Sequence, residues 1–139
     1  DKQFVSTIEV QMLSCIGYVL KESGQREKAL VELKKSYDFA EKLPYERKIF
    51  ELAKVYYHYG EFLFEEKDYN EAFIVVARGL SFVQQFCSYY YLLELTDLNG
   101  KILQKLEKKE LALPFLSLAE YIKNLDFVKS FDSLDFENE

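Results

Sequence analysis

The sequence predicts an all-α fold, a helical solenoid of about three helix pairs with a short C-terminal tail. Three observations favour it: apolar residues recur at helical spacing, no stretch has the pattern of a strand pair, and a triplet of small residues recurs with internal spacings of twelve and seven. The triplets are Gly17, Ala29 and Ser36; Gly60, Ala72 and Gly79; and Gly100, Ala112 and Ala119.

These triplets divide residues 1–125, which are predicted to form one domain, into three repeats. Glycine inside a helix costs about 1 kcal/mol relative to alanine, so its recurrence indicates close contact between paired helices. The repeats are predicted near residues 7–42, 45–86 and 89–125, with helices near 7–23, 26–42, 45–66, 69–86, 89–107 and 109–125.

Capping residues and helix breakers set the boundaries of the first four helices. Ser6 and Glu9 have the spacing of a capping box before the first helix, and Gly24 suits its C-terminal turn. Pro44 ends the second helix and fits the first turn of the third. Asp68, followed by an acid three residues later, predicts the start of the fourth.

The fifth and sixth helices carry weaker boundary signals. The fifth is predicted to begin after Ser88 and to include Tyr89–Tyr91, whose side chains would point to three sides of a helix. Pro114 lies about one turn inside the sixth helix, where it should kink or delay the helix. The acidic, aromatic tail at 126–139 is compatible with a capping helix or with disorder.

Composition limits the classes of function. The 139 residues are 49% hydrophobic and 17% aromatic, enough for a core without a metal ion or disulfide, and both cysteines are expected to be buried in helices. The net charge of −6 leaves no basic face for nucleic acid. Because no signal peptide or membrane-spanning run is evident, we expect a cytoplasmic protein without membrane contact.

The small-residue triplets resemble those of the tetratricopeptide repeat (TPR). Each TPR is a pair of helices, called A and B, whose packing is set by a glycine in helix A and two small residues in helix B. Leu20, Leu63 and Leu103, three residues after the glycines, also match this family. The resemblance implies a right-handed solenoid with the A helices on its concave side. The repeats start 43 and 40 residues apart, however, whereas the family repeat has about 34 residues.

Longer helix pairs of this kind look like the C-terminal sensor domains of Gram-positive peptide-pheromone regulators, the Rgg, Rap, NprR, PlcR and PrgX group. This resemblance implies a peptide-binding sensor domain of a transcriptional regulator that takes part in quorum sensing. It further implies that DNA is contacted only through a domain absent from this chain, and a homodimer is expected. The alternative is a generic TPR scaffold that holds a protein segment without switching.

Carrying over the groove-facing positions of TPR helix A gives one set of polar and aromatic candidates in each repeat. Polar groups satisfy a peptide backbone and rings fill pockets, so a short peptide with free termini would suit them. An ordinary solvated helix face is the alternative. The candidates are Gln11, Ser14, Tyr18 and Lys21; Lys54, Tyr57, Glu61 and Phe64; Glu94, Asp97, Lys101 and Gln104; and the adjacent Asn99.

The charges of this set indicate how a peptide would be held. Lys54 and Lys101 suit a carboxylate, whereas Glu61, Glu94 and Asp97 suit an amino group. A chaperone-tail adaptor is disfavoured, because the carboxylate clamp of such TPR proteins has asparagines at two positions that are Tyr18 and Glu61 here.

No catalytic or metal-binding constellation is evident in the sequence. His58 is the only histidine and is expected to be structural, since no nucleophile motif or phosphate-binding loop accompanies it. We therefore predict no enzyme activity, no cofactor and no metal ion.

Overall fold

The structure, a computed structural model, describes residues 6–125, and its regular elements in this range are six α-helices and two short 3₁₀-helices. The predicted all-α class is confirmed for these residues, whereas the predicted tail at 126–139 lies outside them. The helices are α1 Thr7–Glu22, α2 Arg26–Lys42, α3 Ala53–Glu65, α4 Tyr69–Gln85, α5 Leu92–Lys105 and α6 Lys109–Lys123.

Each helix packs against the next one along the chain, and further contacts join α1 to α3 and α3 to α5. Within each pair only three residues connect the helices, so the two helices run antiparallel. The largest fully buried side chains include Leu33, Tyr56, Phe62 and Leu95, which places the core between α2, α3, α4 and α5.

The turn inside each helix pair has the same backbone geometry in all three repeats. One residue of each turn is left-handed, with φ of 83° at Gly24, 65° at Lys67 and 60° at Glu107. The following N–H donates to the carbonyl five residues back, which is the Schellman arrangement. These bonds join Gln25 to Leu20 at 2.9 Å, Asp68 to Leu63 at 2.9 Å and Lys108 to Leu103 at 2.8 Å.

The helix A glycine of each repeat lies directly against its paired helix. A methyl group added to any of the three would come within about 2.6 Å of the side chain sixteen residues later, which real Cβ atoms do not tolerate. The predicted role of the glycines at the helix crossings is therefore confirmed. The pairs are Gly17 with Leu33 at 2.6 Å, Gly60 with Val76 at 2.5 Å and Gly100 with Leu116 at 2.6 Å.

Gly79, the last small residue of the second triplet, contacts two helices at once. A methyl group there would lie 2.7 Å from Tyr56 Cβ on α3 and 3.0 Å from Leu95 Cδ2 on α5. This small residue therefore lets the second pair pack on the third.

The predicted start of the third helix at residue 45 is wrong. Residues Tyr45–Arg47 and Phe50–Leu52 form the two 3₁₀-helices, and Ile49 between them is extended, with φ −126° and ψ 153°. Tertiary contacts explain the difference, because the Tyr45 ring stacks 5.7 Å from Phe86 and Ile49 packs against the core. Helix α3 begins only at Ala53.

The predicted start of the fifth helix is also wrong. The Tyr90 N–H donates to Ser88 Oγ at 3.0 Å, and Tyr91 adopts the left-handed conformation with φ 63°, so α5 begins at Leu92. The tyrosines therefore lie in a turn. Helix α6 starts at Lys109 without the predicted delay and continues past Pro114.

Two predicted helix caps are confirmed, and the predicted burial of the cysteines is wrong. Ser6 Oγ and the Asp68 carboxylate each accept a hydrogen bond from the backbone N–H three residues later. Cys15 on α1 and Cys87 after α4 are both free and exposed. Across residues 6–125, none of the helices combines the length and apolarity required to cross a membrane.

Candidate functional site

Six of the thirteen candidate residues predicted for peptide binding lie around one cavity. The cavity has a volume of about 330 Å³ and lies between α3 and α5. The predicted residues that line it are spaced about one helical turn apart on each helix. The six residues are Tyr57, Glu61 and Phe64 from α3 and Glu94, Asp97 and Lys101 from α5.

Four further residues line this cavity, which we call the α3–α5 cavity. Leu93 and Leu98 add apolar surface, and Glu65 extends its charged edge. Lys123 reaches it from the end of α6. Lys123 could not be predicted from helix A positions, because the approach of a helix B residue depends on how the third pair crosses.

Lys21 forms a partly buried ion-pair cluster beside the cavity. Its side chain is 6% exposed, and its Nζ lies 2.8 Å from Glu61 Oε1 and 3.4 Å from Glu65 Oε2. The Tyr57 hydroxyl donates to the other Glu61 oxygen at 2.7 Å. Both oxygens of Glu61 are therefore engaged within the protein, so this carboxylate positions other side chains and leaves no free oxygen edge for a ligand.

These contacts fix the protonation states of the cluster. Burial raises the pKa of Glu61, but its hydrogen bonds with Lys21 and Tyr57 and the charge of Lys21 outweigh burial and hold the pKa below its ordinary value. Burial and the Glu61 carboxylate both raise the pKa of the Tyr57 hydroxyl. Glu61 is thus ionised and Tyr57 is protonated at neutral pH.

The α5 side of the cavity carries the charges that a ligand can reach. Lys101 Nζ lies 2.8 Å from Asp97 Oδ2, an exposed pair one helical turn apart. Lys123 lies 3.5 Å from Glu120. Glu94 is exposed and has no ion pair with any other residue between 6 and 125. It therefore gives the cavity rim an uncompensated negative charge.

Aromatic rings continue the surface from the cavity toward α1. The His58 ring centroid lies 4.9 Å from that of Tyr18, 5.6 Å from that of Tyr57 and 5.8 Å from that of Tyr91. This aromatic cluster joins α1, α3 and the turn before α5. Tyr91 is not among the predicted site residues, because its position depends on the left-handed turn that ends the α4–α5 connection.

His58 is held neutral in this cluster. Burial is the largest cause that lowers its pKa; Lys21 and Lys54 lower it further, and Glu61 opposes them. Its Nδ1 is buried without a hydrogen-bond partner among the described residues. Protonation would place a charge between rings with no new hydrogen bond to stabilise it.

The pKa of His58 predicts a pH-dependent stability. Because the folded-state pKa lies below the ordinary value of 6.5, the unfolded chain binds more protons as pH falls through 6.5, and stability decreases with falling pH. We expect the urea concentration at the unfolding midpoint to decrease as the pH is lowered from about 7.5 to about 5.5. This pH range lies above the one in which carboxylates titrate. In His58→Phe this dependence should flatten, and an unchanged slope would assign it to other groups.

The remaining candidates lie outside the cavity. Ser14 and Asn99 are 0% and 2% exposed, so the structure places both in the interior. Gln11 and Tyr18 lie on α1 and are partly exposed, and the other two, Lys54 and Gln104, lie toward opposite ends of the face formed by α3 and α5.

Within residues 6–125, no group of three or more histidine, cysteine, aspartate or glutamate side chains is arranged to hold a metal ion. Comparisons of the chain with protein-family models, curated proteins and solved structures find no match.

Proposed function

We propose that this chain is a TPR-like right-handed solenoid and that the face formed by α1, α3 and α5 is its concave side, which binds a short extended peptide. The observation that carries the proposal is the α3–α5 cavity, where apolar, aromatic and charged groups converge within about 330 Å³. A volume of this size accepts one or two side chains.

The cavity favours a particular ligand chemistry. Tyr57, Phe64, Leu93 and Leu98 present apolar surface to a ligand side chain. Glu94 at the rim favours a cationic group, either a free amino terminus or a lysine. The Asp97–Lys101 pair can open at little cost, because exposed pairs contribute about 0.5 kcal/mol, and its lysine then offers a partner for the peptide carboxylate.

In a regulator, such binding would act as a switch if the peptide prefers one curvature of the array. The cavity spans α3 and α5, which belong to neighbouring repeats, so a ligand between them favours one distance between those repeats. A peptide sensor in transcription, in which another domain binds DNA, would use this dependence of the repeat distance on the bound peptide.

A scaffold function is the second candidate. The aromatic cluster extends the ligand-facing surface from the cavity to Tyr18 on α1. A segment of a larger protein that covers both regions would use this longer surface without requiring a change in curvature.

The proposal is tested with a library of hexapeptides with free termini, selected on the immobilised chain. We expect two kinds of peptide to be enriched. One combines a large apolar residue with a lysine, and the other has an apolar residue at its amino terminus, beside the free amino group. In Glu94→Lys the charge preference should reverse toward acidic peptides, because the uncompensated rim charge changes sign.

The matched control is Glu110→Lys, which makes the same charge change at an exposed α6 position outside the cavity. It should leave the enriched sequences unchanged. Individual peptides are then titrated against Tyr57→Ala and Lys101→Ala. If both variants bind them with unchanged affinity, or if Glu94→Lys selects the same peptides as the original chain, the cavity is not the binding site.

A further inference from the structure

A second cavity, with a volume of about 480 Å³, lies between α4 and α6, and residues of α5 form its floor. It shares no lining residue with the α3–α5 cavity, and we call it the α4–α6 cavity. Its walls are mainly apolar, and no acidic or basic side chain of residues 6–125 lines it. The cavity therefore suits an uncharged ligand.

The side chain of Tyr56 fills the space between α2 and α4 in the preceding repeat. Its ring centroid lies 5.7 Å from that of Tyr37 on α2 and 5.5 Å from that of Phe82 on α4. Its hydroxyl donates to Glu41 Oε2 at 2.5 Å, and Arg78 of α4 pairs with the other Glu41 oxygen at 3.3 Å. A phenol ring and its hydroxyl therefore join α2 to α4.

The α4–α6 cavity lies at the equivalent place in the third repeat. The small-residue triplets give the register, which is a shift of 43 residues from α2 to α4 and of 40 residues from α3 and α4 to α5 and α6. Four residues of the Tyr56 site have equivalents that all line the cavity. They are Tyr37, Glu41, Tyr56 and Arg78, and their equivalents are Leu80, Gln84, Thr96 and Leu118. The cavity is therefore the Tyr56 site without its phenol ring.

The cavity offers polar groups at its edge and at its floor. Gln84 stands where Glu41 accepts the Tyr56 hydroxyl proton, and its amide oxygen can accept the same hydrogen bond without a charge. Thr96 is 1% exposed, and its Oγ1 is buried without a hydrogen-bond partner among the described residues. Since buried hydroxyls are normally paired, the floor retains a polar atom that a bound molecule can use.

We propose that the α4–α6 cavity binds a small neutral phenol, independently of the peptide site. The ring of this ligand takes the place of the Tyr56 ring, and its hydroxyl donates to Gln84. Leu80, Phe115 and Leu118 form apolar walls around it. Apolar cavities bind small aromatic molecules, and about 480 Å³ is within the range of small-molecule sites. A carboxylate or ammonium group would lose its hydration there without a partner of opposite charge.

A free molecule fits this site better than a tyrosine of a protein partner. The Tyr56 side chain starts on α3 and points its hydroxyl toward Glu41 on α2. A tyrosine that enters from outside keeps its backbone at the mouth of the cavity and points its hydroxyl toward the floor, in the reverse direction. A free phenol has no such constraint, so it can adopt the orientation that the preceding repeat defines.

Titration of the intact chain with phenol, followed by NMR, tests the site. Toluene has the same number of non-hydrogen atoms and lacks the hydroxyl, so it measures the contribution of the ring. In Gln84→Leu we expect the affinity for phenol to fall about fivefold relative to that for toluene, because one neutral hydrogen bond is lost. Gln85→Leu makes the same change at an exposed position outside the cavity and should leave this ratio unchanged. An unchanged ratio in Gln84→Leu would overturn the proposal.

Filling the cavity from within provides a second test. Thr96→Tyr introduces the side chain that fills the preceding repeat and should abolish phenol binding. Ser117→Tyr, at an exposed α6 position outside the cavity, should bind phenol like the original chain. Circular dichroism confirms that each variant remains folded. Phenol binding with unchanged affinity in folded Thr96→Tyr would contradict the proposed site.

Thiol labelling locates the ligand without any substitution. Cys87 lines the cavity, and Cys15 lies on α1; both are exposed. Phenol at about ten times its dissociation constant should slow the reaction of Cys87 severalfold and leave that of Cys15 unchanged. An unchanged rate at Cys87 would place the phenol elsewhere.

Two further ligands test the chemical class. The anion para-hydroxybenzoate should bind more weakly than phenol, because no basic side chain of residues 6–125 lines the cavity. N-acetyltyrosinamide should bind more weakly than para-methylphenol, because its backbone prevents the orientation of Tyr56. Tighter binding of para-hydroxybenzoate would exclude a neutral ligand, and tighter binding of N-acetyltyrosinamide would assign the cavity to a tyrosine of a protein partner; either result overturns the proposal.

Discussion

Replacing Lys21 with methionine is expected to lower the free energy of unfolding by about 3 kcal/mol, as when one partner of a buried ion pair is removed. Methionine preserves most of the volume of the 6%-exposed side chain but removes the cation that Glu61 and Glu65 share. Glu65 keeps its ion pair with Arg26, so Glu61 is the carboxylate that is left uncompensated. This loss lies at the lower end of the range expected for breaking a buried ion pair, because both carboxylates keep some access to water. Urea unfolding followed by circular dichroism measures the loss.

Two variants serve as controls for this prediction. Lys101→Met removes a lysine that forms an equally short but exposed pair with Asp97, and should cost below about 0.5 kcal/mol. Lys21→Met combined with Glu61→Gln should recover most of the loss, because the amide can still accept the Tyr57 hydrogen bond without a buried charge. A double variant as unstable as the single one would show that Lys21 acts through packing.

The pH dependence provides an independent readout. In the original chain the pKa of Glu61 lies below its ordinary value of 4.5, so its contribution is present above pH 4.5 and is lost as pH falls through the folded pKa. Without Lys21, only the Tyr57 hydrogen bond and the more distant His58 still oppose burial, so the pKa of Glu61 is higher in the variant. The stability difference between the two proteins should therefore narrow as pH falls from the Glu61 pKa of the variant to the lower Glu61 pKa of the original chain.

Gly79→Ala should destabilise the protein by about 1–3 kcal/mol, although alanine favours helices by about 1 kcal/mol. The added methyl group meets Tyr56 Cβ at 2.7 Å and Leu95 Cδ2 at 3.0 Å. The Tyr56 Cβ is fixed by its backbone, so α3 and α4 must separate. Thermal unfolding of the variant measures the cost.

Gly60→Ala is the matched comparison, because its added methyl group meets only the end of a side chain, Val76 Cγ2 at 2.5 Å. A second change, Val76→Ala, removes that atom. The double variant Gly60→Ala/Val76→Ala should be more stable than the sum of the two single changes by about 1 kcal/mol or more. Tyr56→Ala retains Cβ and should not rescue Gly79→Ala; rescue there would contradict the steric explanation.

The features of the fold that depend on local sequence were predictable. Glycines at a fixed spacing, with a buried alanine twelve residues later, predicted the helix crossings, and Ser6 and Asp68 predicted two helix starts. The late starts of α3 and α5 were not predictable, because they depend on contacts between distant rings, such as Tyr45 with Phe86.

The site was predictable to a similar extent. The helix A positions identified the α3 and α5 residues around the cavity, because the repeat places equivalent positions on one face. The sequence could not show that Lys21 is paired across 40 residues with Glu61, or that Tyr91 closes the aromatic cluster. Both depend on how neighbouring repeats are placed in space.

The left-handed residues are unevenly distributed along the chain. In the first repeat the conformation falls on Gly24, which adopts it freely, whereas Lys67, Cys87, Tyr91 and Glu107 adopt it with a Cβ atom. Each such residue stores about 1 kcal/mol of backbone strain. Helices α4 and α5 are therefore each bracketed by strained turns, so local opening and amide exchange should be faster at these turns than at the Gly24 turn.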